Sequence, residues 1–204
     1  MKLILASASP RRTEILRDAG FSFEVVQANV DETRLRGETA RAMTRRLAEA
    51  KACAVAERLH PLEGAIVIGA DTTVEIRGRL LGKPQSAKDA RRMLLQLGGK
   101  THRVVTSVAV LRIPDRVTKI ATESTRVRFA RMSGDEIAAY LATGEPLDKA
   151  GAYAVQGIGG RFIERIEGCY FNVVGLPLAR VYQMLIRLGW QPPRGNHKKS
   201  RAAG

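Results

Sequence analysis

Residues 65–76 read AIVIGADTTVEI, and apolar side chains fall on odd and even positions alike. An extended segment with two apolar faces is stable only inside a sheet that is covered on both sides. A central strand is therefore expected here, with helices supplying the cover. The flanking pattern agrees. Lys2 to Ala6 reads as a short strand. Ser9-Pro10 opens a helix that stops at Gly20, with Ser at the cap, Pro at the first turn and Gly past the end. Further strands are expected at 23–27, 79–81 (turned back by Gly78) and 161–167. A hairpin is expected from 103–113 and 117–129, turning at Pro114-Asp115. Helices are expected at 39–59, 86–97, 133–143 and 178–188, the third with Ser133 and Glu136 in capping-box spacing. Because hairpins interrupt the strand–helix rhythm, the reading is an α/β fold: a mixed, twisted sheet with flanking helices.

At 204 residues the chain suits one well-buried domain, taken as 1–190, followed by a basic, flexible tail at 191–204. The composition, 45% hydrophobic and 26% charged, excludes a mainly disordered chain. No apolar run approaches the roughly 18 residues of a membrane span. The opening Met-Lys-Leu-Ile-Leu-Ala imitates a secretion signal for four residues and then meets Ser7, Pro10 and Arg11, so a cytoplasmic protein is expected. Cys53 and Cys169 form no Cys-x-x-Cys pair, and His60, His102 and His197 share no metal-ligand spacing. Zinc motifs and a histidine-based triad thus have little support. A formal net charge of +14 suits polyanions, whether nucleic acid, acidic lipid or nucleoside phosphates. Aromatic residues are sparse, and no helix-turn-helix or finger spacing stands out.

The informative residues are those that local physics would not choose. The first helix opens Pro10-Arg11-Arg12-Thr13, although a helix N-terminus carries partial positive charge and prefers acids. Two arginines there, with unpaired N–H groups and the hydroxyls of Ser7 and Ser9, make a cradle for phosphate. Lys51 emerges from a helical stripe of Leu47, Ala48, Ala54 and Val55. It either snorkels to solvent or meets an anion. Asp71 interrupts the buried strand and must reach a ligand site, a metal or a salt bridge. Lys83 on the turn Leu81-Gly82-Lys83-Pro84, and Asp31-Glu32, are weak signals alone. Residues 150–160 form a glycine-rich loop with one amide side chain, Gln156, and allow close backbone approach to a ligand. Two lookalikes fail. Gly98-Gly99-Lys100-Thr101 lacks the first glycine of a P-loop, which would fall at Leu94, and Gly157-Ile158-Gly159 meets Phe162 where a dinucleotide fingerprint needs a third glycine.

In this order, these residues resemble the Maf family of nucleoside triphosphate pyrophosphatases. The matching pieces are Ser7-Ala8-Ser9-Pro10-Arg11-Arg12, Asp31-Glu32, Arg46-Leu47-Ala48 with Lys51-Ala52, Gly69-Ala70-Asp71-Thr72, Leu81-Gly82-Lys83-Pro84, Asp148-Lys149-Ala150-Gly151-Ala152-Tyr153 with Gln156-Gly157, and Asn172-Val173-Val174-Gly175-Leu176-Pro177. They span nearly everything but the tail. The resemblance implies an elongated, two-lobed fold with a central cleft, often dimeric. It also implies a hydrolase that cuts nucleoside triphosphates to monophosphate and pyrophosphate with a divalent cation, Mg²⁺ or Mn²⁺. Tyr153 to Gly157 and Gly168 to Gly175 look like the subgroup acting on dTTP and UTP. Cys169 departs from the small residue, such as serine, expected there.

On that basis Asp71 is expected as the base that deprotonates water, and Glu32, with Asp71, as metal ligand. Arg11, Arg12, Lys51 and Lys83, with Ser7 and Ser9, would hold the triphosphate. A uracil or thymine edge offers an acceptor and a donor that a glutamine amide can match, so Gln156 is the candidate base reader. The resemblance adds Arg11 and Thr72 as specificity positions. Competing readings are a pyrophosphatase for modified nucleotides and a basic nucleic-acid-binding regulator, the latter disfavoured because a buried carboxylate repels phosphate unless a metal intervenes. No membrane partner is expected.

Overall fold

A computed structural model of the chain describes residues 1–59 and 64–192. His60, His197 and most of the basic segment after residue 190 lie outside the described residues. The elements run β1 (Lys2–Ala6), α1 (Pro10–Asp18), β2 (Glu24–Val25), α2 (Ala40–Arg58), β3 (Ala65–Ile76), β4 (Arg79–Leu81), α3 (Ala87–Leu97), β5 (Thr101–Arg112), β6 (Thr118–Phe129), α4 (Gly134–Ala142), β7 (Ile163–Glu167), α5 (Tyr170–Val174) and α6 (Leu178–Arg187). Of three short 3₁₀ turns, Glu145–Asp148 precedes the segment 150–160 expected to be a glycine-rich loop, Ala150–Ala152 lies within it and Ile158–Phe162 closes it, so β7 starts two residues later than expected. The five-residue α5 was not anticipated, since one turn of helix is too short to show a period.

The strands form one seven-stranded mixed sheet in the order β2-β1-β3-β5-β6-β7, with β4 also on β3. β1 is parallel to β2 and β3, and the remaining pairs are antiparallel. The expectation of a central, doubly covered β3 holds. Odd-numbered Ala65 and Val67 pack with α2 residues Ala48, Ala52 and Val55 on one face. Even-numbered Ile66, Ile68 and Ala70 pack on the other face with α1 and α6. Further along that second face, Val74 and Ile76 join a separate cluster with α3 and α4. Between the two clusters the face turns polar at Thr72, opposite Thr106 in register and hydrogen-bonded to it at 2.9 Å. That polar waist separates the two apolar clusters of this face.

One edge of β3 is shared by two strands. β1 pairs with it as far as Ala6 opposite Gly69, and β4 begins at Val74 opposite Leu81. The return is a two-residue turn in which Arg77 and Gly78 both have positive φ, 49° and 76°, as a tight hairpin of this twist requires. Residues 70–73 are therefore left without a strand partner on that edge. Ser7 leaves the sheet at one side of this gap and Gly82-Lys83 at the other. The gap positions the site.

Candidate active site

A cavity of about 530 Å³ opens at the gap. Its lining includes Ser7, Ser9, Arg11, Arg12, Glu32, Lys51, Asp71, Thr72, Lys83 and Gln156, every residue that the sequence singled out for substrate or metal. Residues separated by up to about 150 positions thus meet because two strands end on the same edge of a third.

Asp71 lies inside β3 rather than at a strand end, and is 6% exposed. Its neighbour on the helix side is Lys51. A Cβ on Gly69 would overlap the Ala48 carbonyl oxygen and lie 2.8 Å from the Ala52 amide nitrogen, so α2 rests directly on the strand at that glycine. This contact sets the depth at which Lys51 enters. Lys51 Nζ donates to Asp71 Oδ1 at 2.8 Å and lies 2.7 Å from Glu32 Oε1. Of the two readings left open for Lys51, the anionic partner is the one realised.

The two acids on this ammonium sit in different environments. Burial pushes the Asp71 carboxyl above its ordinary value, against the opposing pull of Lys51 and Arg12. Glu32 comes from an exposed loop. Burial raises it too, but the Lys51 hydrogen bond and charge, helped by Lys83 and Arg12, hold its carboxyl below the usual range. The two acids are thus shifted in opposite directions by their surroundings. The loop bearing Glu32 is tied down by Arg46, whose guanidinium donates to both Glu38 carboxylate oxygens at 2.7 and 2.8 Å and to the Thr33 carbonyl at 3.0 Å.

Thr72 faces the opposite side of β3, where Arg12 meets it. Arg12 is buried, and its guanidinium donates to Gly175 O at 2.8 Å, Thr72 Oγ1 at 3.0 Å and Ser7 Oγ at 3.3 Å. Burial lowers its pKa, opposed by the charges of Asp71 and Glu32. Three of its five N–H groups thus hold the cavity wall. Arg11 is freer, with one contact to Asp148 Oδ2 at 3.5 Å. Ser9 stands at the cap of α1 in extended conformation, but its hydroxyl caps nothing, and the first turn contains no acid. Ser7 Oγ instead accepts the Ser9 amide at 3.1 Å. The positive end of α1 lines the cavity with no acid in its own first turn, an arrangement suited to an anion. Lys83 is exposed on the opposite rim.

Sequence reasoning assigned no role to Asp148, Lys149 or Glu145. Asp148 and Lys149 line the cavity, and Glu145 anchors the segment that carries Gln156. Their only local signal was a run of charge leading into the glycine-rich stretch. Cys169, the departure noted above, takes the cap position of α5 with Sγ accepting the Asn172 amide at 3.4 Å.

The Glu32 and Asp71 carboxylates meet at the Lys51 ammonium on the cavity wall, and hard oxygen donors are what Mg²⁺ and Mn²⁺ take, usually one or two carboxylates completed by phosphate oxygens and water. The donor set therefore fits a divalent ion held jointly with a phosphorylated ligand. Among the described residues no group of three or more His, Cys, Asp or Glu is placed to hold a metal alone. Nor is any described helix long and apolar enough to cross a membrane.

The family model described as Maf-like protein matches residues 2–188. A dTTP/UTP pyrophosphatase of Anaeromyxobacter sp. (strain Fw109-5) is 51% identical over 201 residues, covering 95% of each chain. Another, from Pelotomaculum thermopropionicum, is 50% identical over 189 residues, covering 93% of this chain and 97% of its own. Among solved structures the Staphylococcus aureus Ham1 protein aligns with a TM-score of 0.50 at 17% identity, over 93% of this chain and 100% of that one. At that identity the likeness shows the fold alone.

Proposed function

The chain belongs to the Maf-like protein family, and from that premise we propose that it hydrolyses dTTP and UTP between the α- and β-phosphates, releasing monophosphate and pyrophosphate. The observation that carries this reading is the meeting of Arg11, Lys51, Asp71 and Lys83 in one cavity with Glu32. Cations alone would suit any polyanion. Cations around a buried, proton-accepting acid suit attack on a phosphoryl group.

Asp71 is the general base. Its Oδ1 is held by Lys51, and Oδ2 has no hydrogen-bond donor among the described residues, so it can take the proton of an attacking water. Lys51 keeps both carboxylates in place and limits repulsion between them. The N-terminus of α1, Arg11 and Lys83 bind the triphosphate and stabilise charge building on the leaving pyrophosphate. Arg12, braced by Gly175, Thr72 and Ser7, holds the wall that carries them and directs its remaining N–H groups to phosphate. Glu32 and Asp71 are the residues that would hold a divalent cation, shared with the phosphorylated substrate. When bound, the cation neutralises phosphate charge and so lowers repulsion toward the water. Gln156 reads the pyrimidine edge with its amide, and Arg11 and Thr72, which line the same cavity, support the selection.

The test is pyrophosphate release from all standard and several modified triphosphates, with and without Mg²⁺ or Mn²⁺. The reading expects dTTP and UTP to lead and activity to need the metal. A ranking headed by a modified nucleotide moves the assignment to that substrate. Absence of pyrophosphate with every triphosphate overturns it.

A further inference from the structure

Gln156 is held by a pair of residues outside the reaction centre. Tyr140 is fully buried in the second cluster, and its hydroxyl donates to Glu145 Oε1 at 2.7 Å. The same hydroxyl accepts the Ala154 amide at 3.2 Å. The Glu145 carboxylate accepts two further amides, Ile158 at 2.8 Å and Gly159 at 3.0 Å. Chain entering and leaving the stretch 155–157 is therefore fastened to one phenol–carboxylate pair, and Gln156 stands at the middle of that short arch. The fit is close. A Cβ on Gly157 would collide with the Glu145 carboxylate, and one on Gly159 with the Tyr140 hydroxyl. Gly160 N adds an internal bond to Gly157 O at 3.0 Å. Burial pushes the Glu145 carboxyl up, but the hydrogen bonds from Gly159, Tyr140 and Ile158 outweigh it and hold the carboxyl below its usual range, as suits an acceptor of three donors.

From this geometry we infer that Glu145, with Tyr140, is a positioning residue for base selection. It touches no substrate but fixes where the Gln156 amide sits. The inference rests on the reading of Gln156 given above. An amide side chain reads a base only if its donor and acceptor are held in register, because a loose reader accommodates either pattern. Replacing the carboxylate by an amide sets an NH₂ against backbone N–H donors and unfastens one foot of the arch.

The experiment compares kcat/KM for dTTP and GTP in the full chain, in Glu145→Gln, Glu145→Asp, Gln156→Ala and the Glu145→Gln/Gln156→Ala double variant. The dTTP-to-GTP ratio is expected to fall about tenfold in Glu145→Gln, the size of one well-placed hydrogen bond. The fall should come mainly from a higher KM for dTTP, and Glu145→Asp, which keeps the charge, should recover part of it. The double variant should show the same ratio as Gln156→Ala alone, since Glu145 acts through Gln156. Amide exchange at 158 and 159 should quicken in Glu145→Gln. A merely structural role would lower activity on both nucleotides alike and leave the ratio in place. A ratio that moves in Gln156→Ala but not in Glu145→Gln overturns the inference alone. A ratio that moves in neither removes Gln156 as the reader, and the inference with it. Should Glu145→Gln fail to fold, Tyr140→Phe takes its place: a smaller fall in the same direction supports the clamp, and an unchanged ratio overturns it.

Discussion

Lys51 Nζ donates to Asp71 Oδ1 at 2.8 Å, and both side chains are buried. The pair engages one carboxylate oxygen, and no donor among the described residues bonds the other, so the acid is held without being used up. Its function is separable from its packing, because an amide has nearly the same shape as a carboxylate. Asp71→Asn should lower kcat by roughly 10²- to 10⁴-fold, the range for loss of a general base. Nucleotide affinity should change little. Pyrophosphate release and equilibrium nucleotide binding measure the two, and equal turnover in the variant would remove Asp71 from the mechanism.

The depth of Lys51 depends on Gly69. Gly69→Ala would press a methyl group into the backbone of α2 at Ala48 and Ala52, and backbone yields less readily than a side chain. The helix must lift and carry Lys51 away from Asp71. A destabilisation of about 1–3 kcal/mol is expected, the usual cost of overpacking, with a loss of turnover beyond what the unfolded fraction explains. Chemical denaturation and activity per folded molecule check it. An unperturbed variant would show that α2 has room to spare.

His102 supplies a dependence of stability on pH. Burial lowers its pKa from the ordinary 6.5 to about 4. The ring is fully enclosed, with Nε2 2.8 Å from the Tyr153 hydroxyl. As pH falls, the unfolded chain takes the proton first. The His102 contribution is therefore intact above 6.5, is lost as pH falls below it, and the loss levels off below about 4. The full loss is on the order of 3 kcal/mol. Denaturant melts at pH 7 and pH 4.5 should show wild type losing more stability than His102→Gln. Parallel losses would mean that the imidazole takes its proton as readily in the folded protein as in the unfolded chain.

Cys169 caps α5 through sulfur, a poor acceptor. Cys169→Ser places oxygen at the same position and should stabilise the fold by about 0.5 kcal/mol, at the low end of capping effects because α5 is one turn long. Turnover should not change. A thermal melt that moves downward would show that the thiol's packing outweighs its role as a cap.

The elements were legible because their signals are local. Capping residues lie within three positions of the amides they serve, as Ser133 and Glu136 do in α4. The two-faced apolar run of β3 declared its own burial. The cavity residues were legible as conflicts with local preference: arginines at a helix start, a lysine in an apolar stripe, an acid in a core strand. Less legible was the stretch 145–162, where short 3₁₀ turns replace the expected open loop and Glu145 carries three hydrogen bonds. Nothing in its neighbours' periodicity marks a carboxylate that serves amides thirteen and fourteen positions away.

By itself, then, the sequence determined which segments are strands and helices and which charged side chains are out of place, since both follow from contacts within a turn or a pleat. The tertiary structure alone decided where those side chains go. That β1 and β4 stop short of each other on one edge of β3, that Lys51 serves both Glu32 and Asp71, and that Arg12 is braced by Gly175 and Thr72 all depend on register between distant segments. Register is set by the packing of whole faces, such as α2 on Gly69, and hydrogen bonds a few ångströms long are made only after that packing is in place.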